Sequence, residues 1–200
     1  MISAQTIDVL NFYHDKYNAV SFIENDPISI PHRFSKKQDI EIAGLFAATL
    51  AWGNRKAIIN SCNKLMQLMD NQPHDFIVHH TPKDLIPFAA FVHRTFNATD
   101  VLYFIHFLKQ HFSKHTSLEN LFMEDDAALR LIQFYNSFVS TEEFPNRTKK
   151  HVATPARNST CKRLNMYLRW MVRKDNNNVD FGIWKNISMS SLQCPLDVHV

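Results

Sequence analysis

Two side chains late in the chain are of types that act together in chemistry: the amine of Lys162 and the carboxylate of Asp197. Lys162 opens the run Lys162-Arg163-Leu164-Asn165-Met166-Tyr167-Leu168-Arg169-Trp170-Met171-Val172-Arg173, and Asp197 sits in the hexamer Pro195-Leu196-Asp197-Val198-His199-Val200. From Phe144 to Lys174 there are nine Lys or Arg and no Asp or Glu, so a cationic stretch precedes one acid in apolar, proline-led surroundings. A neutral lysine amine can add to an electrophilic carbon, and a carboxylate can steady the positive charge that develops as a bond to that carbon breaks. Arrayed cations suit the phosphates of a nucleic acid. Lys185 is a second candidate amine. Lys162 also reads as a phosphate-contacting or solvated lysine, and Asp197 as a helix N-cap after Pro195-Leu196.

The element that must present Lys162 is a helix predicted from Lys162 to Lys174. Leu164, Tyr167, Leu168 and Met171 fall on one stripe, while Lys162, Asn165, Arg169 and Arg173 fall on another, so one face packs and the other is basic. A solvated basic face is the ordinary explanation of such a helix. The segment before it, Thr141 to Thr160, is polar and loop-like, with Pro145 and Pro155, and its Arg147, Lys149, Lys150, His151 and Arg157 lengthen the patch. It is the natural boundary between a helical lobe over residues 1–143 and a basic hairpin, lysine-helix and Asp segment over 144–200, the two forming one unit.

Three glycines in 200 residues are too few for a fold rich in hairpins, and apolar residues recur at three- and four-residue intervals, so the chain is predicted to be all-α. The spacing predicts a helix over Thr6 to Tyr17 with Ile7, Leu10, Tyr13 and Tyr17 on one stripe. A central helix over 37–52 follows, apolar nearly all round its small-residue middle. Gly53 ends it and Asn54 caps the next helix, which turns Ile58, Ile59, Cys62, Leu65, Met66 and Met69 inward. Thr81-Pro82-Lys83-Asp84 predicts another helix start, shortened by Pro87; a longer helix opens at Asn97 or Thr99, and one more follows Asp125 or Asp126. Phe104, Phe107 and Phe112 are expected in the core; Trp170 and Trp184 read as core or as part of a base pocket, with core the expectation.

Four segments carry a resemblance to a known family. They are Ala43-Gly44-Leu45-Phe46-Ala47-Ala48-Thr49-Leu50-Ala51-Trp52-Gly53-Asn54-Arg55-Lys56, Cys161 to Arg173, Val179-Asp180-Phe181-Gly182-Ile183-Trp184-Lys185, and Pro195-Leu196-Asp197-Val198-His199. Together they look like a bacterial family, the domain of unknown function 2400 family. That family in turn is distantly similar to the helix-hairpin-helix DNA glycosylases, such as endonuclease III and the archaeal 8-oxoguanine glycosylases. The resemblance implies a two-lobed helix-hairpin-helix glycosylase-like fold, here C-terminally truncated, because the relatives continue beyond the aspartate into further helices. It implies DNA as partner and DNA repair as the setting, with Asp197 as the catalytic aspartate and Lys162 as the Schiff-base lysine. It places Trp52, Asn54 and Arg55 in the turn that probes the vacated base stack. Arg157, Asn158, Arg163, Arg169 and Arg173 fall to the phosphates. The usual hairpin has two glycines that let backbone N–H groups approach a phosphate; Thr154-Pro155-Ala156-Arg157-Asn158-Ser159-Thr160 has none, and Asn158 is the residue suited to the left-handed turn.

The chemistry of such an enzyme calls for these types, since a base inside a duplex is reached only by everting it into a pocket while phosphate contacts hold the strained strand. Other chemistries find little purchase. Cys62, Cys161 and Cys194 are odd in number and widely spaced, which argues against a disulfide scaffold or structural zinc and makes the cytoplasm the expected compartment. No run approaches the ~18 apolar residues of a membrane span. His111 and His115 are spaced for a shared metal but lack an evident third ligand, so neither metal nor cofactor is expected. The expectation is therefore a DNA-binding, base-excision-repair-like protein, a DNA glycosylase/lyase working through Lys162 and Asp197. Two alternatives stand beside it: a catalytically silent nucleic-acid-binding protein, and a helical protein-interaction module, the latter favoured if the basic loop folds against acids of the first lobe.

Overall fold

In a computed structural model, which describes residues 3–141 and 143–195, a single buried helix organises the chain. Helix α1 (Ala4–Tyr17) is capped by Ser3, whose hydroxyl accepts from the Thr6 N–H, and buries none of its residues; Ile7, Leu10, Tyr13 and Tyr17 are each about half exposed. The short α2 (Val20–Ile23) and two 3-10 turns, Pro27–Ser29 and Pro31–Arg33, lead into α3 (Lys37–Leu50). Every residue of α3 from Ile40 to Leu50 is buried, because neighbours close on it from several sides: α4 (Arg55–Leu68), α5 (Pro73–His79) and, from the far end of the sequence, α8 (Lys162–Val172).

The small residues of α3 permit that crowding. A Cβ on Gly44 would lie 2.8 Å from Met171 Cε and 3.2 Å from a Tyr167 ring carbon, so side chains of α8 fill the space beside Gly44 and a larger residue there must displace them. Gly44→Val is expected to destabilise the fold by about 1 to 3 kcal/mol through overpacking. Urea unfolding would read this as a lower midpoint at unchanged slope.

Between α5 and α6 the chain departs from its predicted course. The expected helix after Thr81 does not form, because the Asp84 carboxylate folds back to accept from both the N–H and the hydroxyl of Thr81, closing a turn instead; a 3-10 turn (Ile86–Ala90) begun around Pro87 follows. The helix α5, unread in the sequence, starts on Pro73 and is tied to α3 where the His74 N–H donates to Asp39 at 2.8 Å. Strands β1 (Val92–His93) and β2 (Phe96–Asn97) pair antiparallel, His93 opposite Phe96. Their turn needs no glycine because Arg94 itself takes the left-handed conformation at φ 56°.

Helix α6 (Ala98–Phe112) opens on a full capping box, Asn97 with Asp100, and α7 (Ala127–Val139) on Asp126. Phe104, Phe107, Phe134 and Phe138 interlock between them, with ring centroids 4.7 Å apart for Phe104–Phe138 and 4.9 Å for Phe107–Phe138. Trp170 and Trp184 are both core residues, 1% exposed. The buried apolar cluster runs unbroken from Ile28 to Ile187, and the described residues are mostly helical. Among the described residues no helix is long and apolar enough to cross a membrane.

Candidate nucleic-acid interface

The approach to Lys162 is built from two left-handed residues in succession. Thr154 caps the Pro155–Arg157 turn, Asn158 then takes φ 55° and ψ 32°, and Cys161 takes φ 51° while its N–H donates to the Ser159 hydroxyl at 3.1 Å. Asn158 thus supplies the turn for which it was suited. Helix α8 starts directly after Cys161 without a side-chain cap; inside it, the Asn165 amide donates back to the carbonyls of Thr160 and Cys161, fixing the entry. Its apolar stripe of Leu164, Tyr167, Leu168 and Met171 faces the core as spaced.

The opposite face of α8 borders a cavity of about 960 Å³. Lys162, Arg163, Arg169 and Arg173 line it from α8, and Trp52 lines it from the turn after α3. Met189, Leu192, Gln193 and Pro195 close it from the C-terminal segment. Asp197 lies outside the described residues; Pro195, two positions earlier, is on the cavity wall. Lys185 lines neither this cavity nor the smaller one near α4, and its amine donates to the Gly182 carbonyl.

The cations differ in what else they hold. Arg163 is half-buried and its guanidinium donates to the Thr49 carbonyl in the last turn of α3, with burial pulling its pKa below the ordinary arginine value. Arg169 meets Asp180 at 3.2 Å; Arg173 donates to the other oxygen of Asp180 and to Asn18 Oδ1 at 2.6 Å. The Asp180 side chain is wholly buried, and its backbone N–H donates to Asp175 at 2.8 Å. Burial alone would raise the Asp175 carboxyl, but N–H groups of Asp180, Asn177 and Val179 converge on it and hold it below the usual carboxylate range. Part of the basic face is thereby neutralised by a segment that its own sequence neighbours supply.

The loop ahead of α8 is folded against the first lobe. Arg147 and His151 each reach Asp100 of α6 at 3.2 Å, and Thr148 donates to it at 2.8 Å. Arg157 instead lies exposed with its guanidinium over the Tyr135 ring of α7, 5.7 Å from the centroid. Asn54 is occupied as the N-cap of α4, accepting from Ala57 N, and Arg55 lines the smaller hollow near α4.

Around Trp52 sits a group that sequence reasoning missed. The Arg94 guanidinium stacks 4.5 Å from the Trp52 ring centroid and packs where a Cβ on Gly53 would stand, a position already held to glycine by φ 104°. His93 lies edge-on to Trp52 and hydrogen-bonds Ser61 at 2.9 Å, while burial lowers its pKa. The Trp52 and His93 ring atoms Nε1 and Nε2 are buried without a hydrogen-bond partner among the described residues. The segment Phe91-Val92-His93-Arg94-Thr95-Phe96 does not alternate apolar with polar residues, and strands of two residues leave no pattern to read. His111, spaced with His115 as metal ligands can be but not expected to hold one, gives its Nε2 to the Ser117 carbonyl at 2.8 Å and stacks on His115; no group of three or more potential ligands is placed to hold a metal among the described residues.

Neither a curated protein nor a solved structure matches the chain. The family described as "Protein of unknown function (DUF2400)" matches residues 26–200, so the four motif segments, the α8 cavity and its Trp52 wall all fall within the matched span, and the chain belongs to that family.

Proposed function

We propose that this protein binds DNA and receives an everted nucleotide in the cavity beside α8, where the Lys162 amine and the Asp197 carboxylate act on the sugar to release a damaged base. The observation that carries this reading is that Lys162, three arginines, Trp52 and the segment two residues short of Asp197 all border one cavity, whose 960 Å³ is ample for a nucleotide. In the reaction, the amine lone pair forms a bond to C1′ as the C1′–N bond to the base breaks. The base leaves with that bonding pair and takes up a proton, and the proton shed by the new C–N centre passes to solvent or to the carboxylate; the nitrogen lone pair then forms the C1′=N bond as the C1′–O4′ bond breaks and O4′ takes a proton, giving the imine that borohydride reduces. Asp197 offsets the positive charge on the sugar as the bond opens.

Borohydride trapping on duplexes with single oxidised, deaminated or alkylated bases tests the reaction. A covalent complex with at least one lesion is expected, lost in Lys162→Ala and retained in Lys185→Ala; trapping that survives Lys162→Ala removes Lys162 from the role. One arrangement favours a second reading, a helical protein-interaction module without nucleic acid: Arg147 and His151 of the basic loop are folded against Asp100 of the first lobe, and Asp180 holds Arg169 and Arg173. That reading predicts no salt-dependent DNA binding, whereas a catalytically silent nucleic-acid-binding protein would bind DNA in a salt-dependent way with no base release and no trapped complex.

A further inference from the structure

A second hollow, of about 490 Å³, is lined by Glu24, Asn25, Arg55, Lys56, Ile59 and Asn60. The turn Trp52-Gly53-Asn54-Arg55 contributes to both: Trp52 lines the larger hollow, and Arg55 and Lys56, at the start of α4, line the smaller. Three residues of chain hold the Cα atoms of Trp52 and Arg55 within about 11 Å of each other, so one strand crossing this turn can reach residues of both hollows. We infer that the smaller hollow holds a phosphodiester of the same strand as the nucleotide held beside α8, with Arg55 and Lys56 on the phosphate. This rests on the proposed function and extends its footprint from one nucleotide to a strand segment.

The donor set fits such a guest. Arg55 and Lys56 supply the charge; both are exposed, and neither belongs to an ion pair among the described residues. The Asn25 and Asn60 amides can donate to phosphate oxygens or to the sugar. Glu24, exposed in the same wall, opposes an anion, so its charge sets the affinity rather than creating it. The acid next in sequence, Asp26, is the cap of the Pro27–Ser29 turn; burial raises its carboxyl, and the charges of both Arg55 and Arg169 pull it down, which places cations of the two hollows around one group.

Fluorescence anisotropy with a duplex carrying one tetrahydrofuran abasic site, titrated at several NaCl concentrations, separates the outcomes. For Arg55→Ala/Lys56→Ala the slope of log K against log[salt] should shrink by about 1 per removed phosphate contact, with affinity falling roughly tenfold at low salt. Arg55→Lys/Lys56→Arg should keep the slope, and Glu24→Gln should bind a few-fold tighter than the parent. An unchanged slope in the double alanine variant, with the parent binding normally, overturns the second hollow and leaves the proposed function standing. A parent protein with no salt-dependent binding at all overturns both.

Discussion

Replacing Asp100 with alanine is expected to cost about 3 to 5 kcal/mol of stability, the usual loss when one partner of a buried charge cluster is removed. The Asp100 side chain has no exposed surface, yet it accepts from Asn97 N at 2.9 Å, completing the α6 capping box, and from Thr148 at 2.8 Å. Arg147 and His151 meet the same carboxylate at 3.2 Å. Its removal strips a helix cap and takes from the buried His151 ring, beside Phe96, the carboxylate it approaches at 3.2 Å. For a chain of this size each kcal/mol moves the thermal midpoint by about 2 to 4 °C, so a drop of roughly 6 °C or more is the calorimetric signature. The pH dependence has a definite sign. Burial pushes the Asp100 carboxyl up, but the close approach of His151 and hydrogen bonds from Asn97 and Thr148 outweigh it and hold the pKa below the ordinary value. The stability it confers is thus present above the unfolded-state value of about 3.9 and is lost as pH falls through the lower folded value. Asp100→Asn should flatten the acid limb of the stability curve; an acid limb identical to the parent's would contradict the assignment.

The same carboxylate shows where sequence reading reaches its limit. Local signals read correctly: the all-round apolar middle of α3, the Asn54 and Asn97 caps, the two stripes of α8 and the left-handed turn at Asn158 are each decided within a few residues by backbone geometry and helical period. What lies 47 to 51 residues apart, Asp100 with Arg147, Thr148 and His151, has no local signature, so a loop that reads as a free basic patch is in fact partly clamped to the first lobe. The candidate site divides in the same way. That Lys162, Arg169 and Arg173 share a face follows from helical spacing. That Trp52 faces them across a cavity follows from α3 packing on α8, and the Arg94 stack on Trp52 from a two-residue hairpin too short for pattern reading. The half-exposed stripe of α1 is the converse: a correct period whose burial the period does not decide.

Glu41→Ala should be comparably severe, and its pH dependence should run the other way. Glu41 is wholly buried in α3 and accepts from Trp184 Nε1 at 2.6 Å, Leu118 N at 3.1 Å and the Ser117 hydroxyl, with Lys37 3.9 Å away. Alanine would strand three buried donors at about 1 to 3 kcal/mol each, so a loss of at least about 3 kcal/mol is expected in urea unfolding. Here burial dominates over the hydrogen bonds from Ser117, Leu118 and Trp184 and raises the carboxyl pKa. The folded state therefore holds its proton more tightly than the unfolded state does. Stability linked to Glu41 is full below the unfolded value of about 4.3 and is lost as pH rises through the higher folded value. Glu41→Gln, which cannot ionise, should remove that decline while losing less than alanine, because its carbonyl still accepts from Trp184 even as its NH₂ faces another donor. The consequence reaches the site, since Trp184 anchors the segment that runs on through Met189 and Leu192 to Pro195 along the cavity wall. Under the proposed function, DNA affinity in Glu41→Ala should therefore fall together with the unfolding midpoint, whereas in Lys162→Ala it should fall without it; a Glu41→Ala protein that melts early yet matches the parent in DNA affinity would show that the wall is held by other contacts.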